Sequence, residues 1–429
     1  MGGGGSGGIG GIGGSDGSDR IGGSAGQAHA LVLSGGGAKG AYEVGVMKAL
    51  FAGASQATDH RPIEIDIYTG TSVGSYNATW MAAQGDLPSL AAVERLERTW
   101  RTRVAATMER CGNGVYRVRG LPLQGLDPGC FLHPVEALAE LSQDAVFLSR
   151  AALIRGLNFL VSKEPCTTRA ADLVDLASFI SPAPLYHLVA ETIDFDRLRT
   201  SSKSLTIAAS NWVHGTLQLF PKADIALRHG QPVLASAAIP GFFPPIMIDG
   251  VPYVDGGLTL NTPLKPAIDL GADVLHVIYL DPATEDIPFP TLPNTMDTMY
   301  RMYAILIANA MQDDLVVADF ANQLLLLGLD WLPEKPAGAT GRPPLRIQDR
   351  PMLRDGRPVH RPLIIHRYRP STDMGGLAGL LDFSTPVIDR FIALGESDAK
   401  NHDCRREGCS LAAGLPAGSA PAAAAGRRP

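Results

Sequence analysis

Residues 63–74 read IEIDIYTGTSVG, an alternating apolar run that stops at a Gly-x-Ser-x-Gly turn. Isoleucine at every second position is typical of a strand, and residues 73–83 suit a helix that ends near Gly85. A serine on such a strand-to-helix turn exposes its hydroxyl beside a helix N-terminus, and the flanking glycines relieve crowding. The pattern makes Ser72 a candidate nucleophile. An ordinary loop is the alternative, because the chain contains 48 glycines.

A second glycine-rich turn follows the first apolar strand. Residues 30–33 (ALVL) lead into SGGGAKG at 34–40, and apolar residues then recur with helical spacing. The spacing of Gly35, Gly37 and Gly40 satisfies the Gly-x-Gly-x-x-Gly pattern of dinucleotide-binding folds. That interpretation needs an acidic residue at the end of the next strand, where this chain has the serine turn instead. Consecutive glycine amides before a helix can equally bind a developing oxyanion.

The lysine of this second turn does not make it a Walker phosphate loop. No Ser or Thr follows Lys39, so the hydroxyl that would bind magnesium is missing. A solvated lysine at a helix start and a lysine with a role in the motif are both left open at this stage.

Composition limits the class of protein. A net charge of −6 does not mark the chain as a nucleic-acid binder, and a hydrophobic content of 45% allows a large core. Five cysteines form no Cys-x-x-Cys pair, and their odd number argues against a secreted disulfide framework. We see neither a secretory signal nor an apolar run of about 18 residues. We therefore expect a cytoplasmic protein that is soluble or peripheral at a membrane.

The chain is expected to hold one domain between two tails. Residues 1–28 are mostly Gly and Ser, and residues 403–429 are rich in Ala, Gly and Pro, so both are predicted to be disordered. The domain at 29–402 loses its strand–helix rhythm at about 101–200, which we interpret as a helical insertion that covers the site. Within it, residues 147–161 mix apolar side chains with two arginines. This segment suits either a helix in a membrane interface or a helix packed on the core.

Two carboxylates are candidates to accept the proton of Ser72. Asp255 follows an apolar strand and precedes two glycines that would let another backbone approach closely. Asp249 precedes Gly250 in a pair that favours a hairpin turn, which explains it without a role in the site. A carboxylate that only caps its own loop is the alternative for Asp255.

No histidine occupies the position that a Ser-Asp-His hydrolase requires, in a loop after a late core strand. His276 lies inside an apolar strand and is expected to be a core histidine. His366 is the nearest candidate, and burial in a strand explains it better. Asp255 would then act as the base directly, provided that partial burial raises its pKa.

Four motifs, in this order, resemble those of the patatin-like phospholipase family: GGGAKG at 35–40, GTSVG at 70–74, PGFFPP at 240–245 and DGG at 255–257. The resemblance covers residues 28–283 well and extends to 363–400. It implies an α/β fold with three α/β/α layers and a mostly parallel central sheet. It also implies hydrolysis of acyl esters in lipids by a Ser-Asp dyad, without a catalytic metal or a cofactor.

Carried over by motif, Ser72 is the nucleophile, Asp255 is the base, and the amides of Gly35, Gly36 and Gly37 form the oxyanion hole. We therefore predict a serine lipid acyl hydrolase of the phospholipase A or lysophospholipase type, with a phospholipid or other acyl-ester lipid as its substrate and no nucleic-acid partner. The alternatives are a lipid acyltransferase with the same dyad and a non-catalytic nucleotide- or lipid-binding protein. Peripheral contact with a membrane and the oligomeric state are left open.

Overall fold

The computed structural model describes most of the chain from residue 27 to residue 410. The described residues are 27–107, 112–119, 132, 134–171, 176–281, 298, 301, 302, 305, 322, 330–333, 345–348, 353, 354, 357, 358 and 363–410. The predicted N-terminal tail lies outside them except for its last two residues. Nearly all of residues 296–327, whose apolar periodicity predicts a helix, also lie outside them.

The secondary structure of the described residues alternates between strands and helices. The strands are β1 (His29–Leu33), β2 (Ile67–Thr71), β3 (Arg117–Val118), β4 (Ile180–Ser181), β5 (Ser204–Asn211), β6 (Thr216–Pro221), β7 (Ile246–Ile248), β8 (Val251–Asp255), β9 (Val274–Ile278), β10 (Asp330–Pro333), β11 (Leu345–Gln348), β12 (Leu353–Arg354), β13 (Arg357–Pro358) and β14 (Ile364–Tyr368). The α-helices are α1 (Gly40–Phe51), α2 (Val73–Ala83), α3 (Ser89–Thr99), α4 (Pro134–Val161), α5 (Cys166–Ala171), α6 (Ala183–Thr192), α7 (Phe195–Thr200), α8 (Lys222–Leu227), α9 (Gln231–Ser236), α10 (Leu264–Asp269), α11 (Gly376–Leu381) and α12 (Thr385–Lys400). Short 3-10 turns include Gly37–Lys39 and Gly256–Leu258.

A mixed sheet organises the fold. Its strand order among the described residues is β14-β9-β1-β2-β5-β8-β7, and β6 also pairs with β5. Neighbours from β14 to β5 are parallel. Strands β6 and β8 run antiparallel to β5, and β7 runs antiparallel to β8. The reversal at β8 matters for the site, because it brings a late segment of the chain next to the end of β2.

Alternate residues of β1 face two different helical layers. Leu31 and Leu33 pack in a cluster with α1, α2, α3 and α12. Ala30 and Val32 pack in a second cluster, with α10. Because successive side chains of a strand point to opposite faces, helices cover both faces of the sheet. The predicted three-layer α/β/α fold with a mostly parallel sheet is confirmed.

Strand β2 begins later than its apolar pattern predicts. The alternation lies at 63–67, but the strand is Ile67–Thr71, and all of its residues are buried. Parallel strands that are covered on both faces show continuous burial instead of alternation. Helix α2 follows at Val73–Ala83, as predicted.

Helices occupy most of the described residues between 101 and 200. The longest of them, α4, includes the predicted segment 147–161 as its C-terminal half. Arg117 of β3 donates to both carboxylate oxygens of Asp144 in α4, at 2.6 and 2.9 Å. Both side chains are buried, so this ion pair attaches α4 to the β3–β4 pair. Neither α4 nor any other described helix has the length and apolar character needed to cross a bilayer.

Residues 403–410 differ from the prediction of a disordered tail that starts at 403. The Ser410 amide donates to the Ile365 carbonyl at 2.9 Å, and the Ile365 amide donates to the Ser410 carbonyl at 2.7 Å. The chain therefore returns to β14 after α12. Two cysteines lie in this return, whose sequence (DCRREGCS) is rich in charged residues, unlike the Ala-, Gly- and Pro-rich tail beyond it. Residues 411–429 lie outside the described part of the chain.

Candidate active site

Ser72 occupies the sharp turn between β2 and α2. Its backbone has φ 53° and ψ −123°, a conformation that residues with a side chain rarely adopt and that costs roughly 1–3 kcal/mol. The turn is crowded: a Cβ added to Gly70 would lie 2.3 Å from the Gly74 carbonyl oxygen, and one added to Gly74 would lie 2.5 Å from that of Leu33. Packing therefore requires both glycines of the motif.

Ser236 holds this turn in place, and no motif in the sequence pointed to it. Its hydroxyl accepts a hydrogen bond from the Ser72 amide at 2.8 Å and donates one to the Ala208 carbonyl at 2.6 Å. Ser236 is fully buried at the end of α9. It thereby links the serine turn to β5.

The pairing of β2, β5 and β8 brings Asp255 close to Ser72. Thr71 lies opposite Ala208 in the parallel pair of β2 and β5. Asp255 lies opposite Ala209 in the antiparallel pair of β5 and β8. Thr71, which precedes Ser72, and Asp255, the last residue of β8, therefore flank neighbouring positions of β5. The Ser72 hydroxyl also lowers the pKa of the Asp255 carboxyl.

The two oxygens of the Asp255 carboxyl differ in their hydrogen bonds. Oδ1 accepts a hydrogen bond from the Gly257 amide at 2.7 Å, so the loop-capping contact is present. Oδ2 completes no hydrogen bond with any described residue, although it is buried. Burial raises the pKa of Asp255 to about 6, against the opposing effects of the Ser72 hydroxyl and the Gly257 amide. The carboxyl therefore ionises close to neutral pH.

The first glycine turn lies against Ser72. A Cβ added to Gly35 would lie 3.0 Å from the Ser72 Cβ. The Gly35 amide donates to the Asn261 carbonyl at 3.3 Å, which engages one of the three amides predicted for the oxyanion hole. The amides of Gly36 and Gly37 donate to no acceptor among the described residues. These two remain available to a ligand.

One stretch of chain, residues 256–263, connects the carboxylate with this glycine turn. The Thr71 hydroxyl donates to the Leu260 carbonyl at 2.8 Å. The hydroxyls of Ser34 and Thr262 lie 2.9 Å apart and are buried. The stretch is thus bonded to the ends of β2 and β1 before α10 begins.

A cavity of about 590 Å³, partly open to solvent, includes Ser72 in its wall. Nearly all of the lining is apolar: Gly37, Ser72, Val73, Tyr76, Trp100, Val104, Val115, Tyr116, Leu185, Leu188, Val233, Ala237, Ile239, Phe243, Leu380, Leu381 and Phe383. The cavity therefore suits an apolar ligand that presents one reactive group to Ser72.

A buried polar chain supports one wall of the cavity. The indole of Trp100 donates to the Asn77 side-chain carbonyl at 2.9 Å, and the Asn77 amide group donates to Glu43 at 2.8 Å. Burial raises the pKa of Glu43 well above its usual value, which favours the neutral form of this carboxyl. The chain fixes the Trp100 ring beside the cavity.

Asp249 and the two histidines considered above, His276 and His366, do not line this cavity. Asp249 is exposed in the turn between β7 and β8 with φ 50°, so the predicted hairpin turn is confirmed. His276 is buried, and its Nδ1 lies 3.0 Å from the Tyr368 hydroxyl, which confirms the predicted core histidine. His366 is buried in β14 and does not line the cavity.

Lys39 is buried, so the alternative of a solvated lysine is wrong. Its side chain is 1% exposed, and Nζ lies 2.5 Å from Asp281 Oδ1. This ion pair joins the short helix after the glycine turn to the residues that follow β9. The lysine therefore stabilises the turn from outside the cavity.

Comparison with known proteins places the chain in a family. No curated protein matches it. Among solved structures, it resembles VipD from Legionella pneumophila at 15% identity, over 87% of this chain and 67% of that one, with a TM-score of 0.29. It also resembles the heterodimeric complex ExoU–SpcU from the type III secretion system of Pseudomonas aeruginosa, at 20% identity over 67% of this chain and 52% of that one, with a TM-score of 0.24.

The description of the matching family model is patatin-like phospholipase, and the match spans residues 31–268. That span includes both glycine turns, Ser72 and Asp255. More than half of the chain is matched, so the protein belongs to the patatin-like phospholipase family and is, at the level of that family, a lipid hydrolase.

Proposed function

We propose that the protein is a serine lipid acyl hydrolase of the phospholipase A or lysophospholipase type that uses Ser72 and Asp255 as a catalytic dyad. One observation supports the proposal: Thr71, which precedes Ser72, and Asp255 pair with adjacent residues of β5, and the Asp255 carboxyl keeps a buried oxygen without a hydrogen-bond partner among the described residues. A base in this position can take the serine proton without a histidine.

The proposed reaction has two stages. Asp255 accepts the Ser72 proton while the Ser72 oxygen attacks the ester carbonyl carbon. The carbonyl oxygen becomes an oxyanion, which the Gly36 and Gly37 amides would stabilise; removing one such donor typically costs about 10²–10³ in rate. The intermediate collapses, and the departing alcohol takes the proton from Asp255. In the second stage, water gives a proton to the same carboxylate and its oxygen attacks the acyl carbon. The bond from the acyl carbon to the Ser72 oxygen then breaks, and that oxygen takes the proton from Asp255 as the fatty acid leaves.

The cavity favours a substrate with an acyl chain. Its lining is apolar, and Ser72 interrupts it at the point where the ester would lie. A chain of methylene groups gains about 0.8 kcal/mol for each group that it buries. The mechanism requires no metal ion or organic cofactor.

Two substitutions test the dyad. Ser72→Ala is expected to lower kcat/KM for a phospholipid ester by at least about 10³-fold, since the nucleophile is lost. Asp255→Asn is expected to lower it by roughly 10²–10⁴-fold, the usual contribution of a general base. Esterase assays on both variants measure this, with circular dichroism to show that they are folded. Substantial activity in either variant would refute the dyad.

Two further measurements separate the alternatives. A fluorophosphonate probe should label the wild-type protein and spare Ser72→Ala, whereas a non-catalytic binding protein would not be labelled. Product analysis with an added lysolipid acceptor distinguishes water from an alcohol as the acceptor of the acyl group. A hydrolase releases mainly free fatty acid under these conditions, and transfer to the acceptor would replace the proposal with an acyltransferase.

We propose further that α4 contacts the surface of a phospholipid membrane, which the protein would reach from the cytoplasm. The C-terminal half of α4 exposes a row of large apolar side chains: Val146, Phe147, Leu153, Ile154, Leu157, Leu160 and Val161. Arg150 lies within this row and is exposed. A helix with exposed apolar and basic side chains suits an interface of acyl chains and anionic headgroups.

The connection of α4 to the cavity supports the same occupant. Asp144 of α4 is bonded to Arg117. The two residues that precede Arg117, Val115 and Tyr116, line the cavity. A membrane bound along α4 would therefore lie next to the cavity in which its lipids react.

A triple substitution tests the membrane contact. Leu153→Ser, Leu157→Ser and Leu160→Ser together should weaken binding to vesicles of phosphatidylcholine and phosphatidylserine by more than about tenfold, because each leucine that enters the interface contributes about 1 kcal/mol or more. Vesicle sedimentation measures the bound fraction. Leu227→Ser is the matched control, because Leu227 is 74% exposed and lies in α8. Equal binding by the triple variant and this control would exclude the contact.

A further inference from the structure

Four side chains that can bind metal ions meet at the edge of the sheet. His366 lies in β14, and His402, Cys404 and Cys409 lie in the return of the chain after α12. One nitrogen or sulfur atom from each lies within 4.8 Å of those of the other three. None of the four lines the cavity at Ser72.

Three of the distances within this cluster are those of a tetrahedral metal site. The Cys404 sulfur lies 3.5 Å from His366 Nδ1 and 3.4 Å from His402 Nε2, and the Cys409 sulfur lies 3.3 Å from His402 Nε2. In a tetrahedral zinc site, with zinc about 2.3 Å from sulfur and about 2.0 Å from nitrogen, a sulfur and a nitrogen ligand lie about 3.5 Å apart. These three separations match those of ligands that share one ion.

We propose that His366, His402, Cys404 and Cys409 bind one structural Zn²⁺ ion. Two thiolates and two imidazoles form a Cys₂His₂ set, which is a common ligand set of structural zinc sites. The two thiolates balance the charge of the ion, which allows the site to be partly buried. Four protein ligands complete the coordination, so the site is closed to substrate and its role is structural.

The surroundings hold the ligands in position. The Arg367 amide points to the Cys409 sulfur at 3.3 Å, a donor that stabilises a thiolate. The Cys409 amide donates to the Cys404 carbonyl at 2.9 Å, which closes the loop between the two cysteines. Aromatic contacts orient both imidazoles: the His402 ring lies 4.7 Å from that of Tyr368, and the His366 ring lies 5.2 Å from that of a neighbouring histidine.

The ion would fasten the C-terminal return to the last strand. One ligand comes from β14 and three come from the ten residues after α12, so zinc would cross-link two segments that also meet through contacts such as that of Ile365 with Ser410. No Cys-x-x-Cys pair marks this cluster in the sequence. The site departs from that spacing, since its fourth ligand comes from a strand far upstream.

Metal analysis of the purified full-length protein tests the site. We expect about one zinc ion per chain in the wild-type protein, as a closed four-ligand site binds tightly. Cys404→Ser and Cys409→Ser should each contain little or no zinc. Cys166→Ser is the matched control and should keep its zinc, because Cys166 is exposed and lies outside the cluster.

A further variant and an absorption spectrum distinguish loss of a zinc ligand from loss of folding. His402→Cys preserves four ligands, so this variant should keep zinc even if the serine variants fail to fold. Replacement of zinc by Co²⁺ in the wild-type protein should produce the ligand-field absorption of a tetrahedral ion and a thiolate-to-cobalt charge-transfer band. Folded wild-type protein without zinc after incubation with zinc and a reductant would overturn the proposal. A disulfide between Cys404 and Cys409 in freshly purified protein, shown by mass spectrometry, would overturn it as well.

Discussion

The backbone of Ser72 is strained because the turn that exposes the hydroxyl also forces a positive φ on a residue with a side chain. At φ 53° and ψ −123° the conformation is one that glycine adopts far more readily. Closely packed glycines on both sides and the hydrogen bond from the Ser72 amide to Ser236 leave the turn no alternative. The strain is thus maintained by the surrounding structure.

Replacing Ser72 by glycine should therefore stabilise the fold while it removes the nucleophile. Relief of strain is worth roughly 1–3 kcal/mol, and the greater freedom of glycine in the unfolded chain takes back about 0.5–1 kcal/mol. We expect the free energy of unfolding of Ser72→Gly to exceed that of Ser72→Ala by about 1 kcal/mol or more. Urea denaturation of both variants measures the difference. Equal stabilities would show that the turn is not strained.

Asp255 predicts how activity depends on pH. Its pKa is raised to about 6, mainly by burial, and only the ionised form can accept the serine proton. We expect kcat/KM to rise with pH through about 6 and then to level off. A pH–rate profile on a neutral ester measures this. A profile that is already flat well below pH 6 would contradict Asp255 as the base.

The same shift has a consequence for stability. Because the pKa in the folded state lies above its usual value of 3.8, the neutral form favours folding, and this contribution disappears as pH rises through about 6. Asp255→Asn should then be at least as stable as the wild-type protein at neutral pH. Loss of activity in that variant would thus reflect the missing base and not a missing fold.

The sequence motifs predicted only those site residues whose local backbone requires a characteristic pattern of neighbours. Ser72 is marked by its two glycines, and Asp255 by the two glycines that follow it. Ser236 has no such mark, since a serine in a short helix is common and its role arises from a contact with β5. The engagement of the Gly35 amide by Asn261 was equally hidden, because it depends on the path of a distant segment.

At the scale of elements, local chemistry predicted helices and turns better than the start of β2. Helix α2 has the predicted bounds because a strained turn precedes it and glycine follows it. The predicted start of β2 was too early. The apolar alternation lies in the residues that precede the strand, and the strand itself is buried on both faces. Periodicity is informative only where one face of an element meets solvent.

Two glycines in helices should respond to alanine in opposite ways. Gly74 opens α2 against the carboxyl end of β1, where an added Cβ would lie 2.5 Å from a backbone oxygen. Gly74→Ala should destabilise the protein by about 1–3 kcal/mol or displace the serine turn. Gly156 in α4 has no atom within 4 Å of an added Cβ, so Gly156→Ala should stabilise by up to about 1 kcal/mol.

Thermal unfolding and esterase assays measure both variants, and Gly156→Ala serves as the control for Gly74→Ala. Fully retained activity and stability in Gly74→Ala would mean that α2 can move away from β1 at no cost, against the close contact seen here. A loss of stability in Gly156→Ala would mean that α4 packs more tightly than its open surroundings indicate.

At the scale of the whole molecule, the order of the motifs predicted the architecture. Strand, glycine turn and helix occur twice at the start of the chain, which favours neighbouring parallel strands, and the resemblance supplied the rest of the three layers. The return of residues 403–410 to β14 was not predictable, because the Ala-, Gly- and Pro-rich composition of the following residues extends close to it. Pairing between segments that are distant in the sequence leaves little trace in the local sequence. The same is true of the side chains that such pairing brings together.

The stretch 256–263 contributes to two parts of the proposed site. It directly follows the proposed proton acceptor, and it includes Asn261, whose carbonyl accepts a hydrogen bond from the loop proposed to stabilise negative charge. A substitution in this stretch would therefore disturb the acceptor and the loop together. The helices that wall the cavity make no such double contribution. Natural or laboratory selection for a new lipid should therefore accumulate its changes in those helices and leave the connecting stretch unaltered.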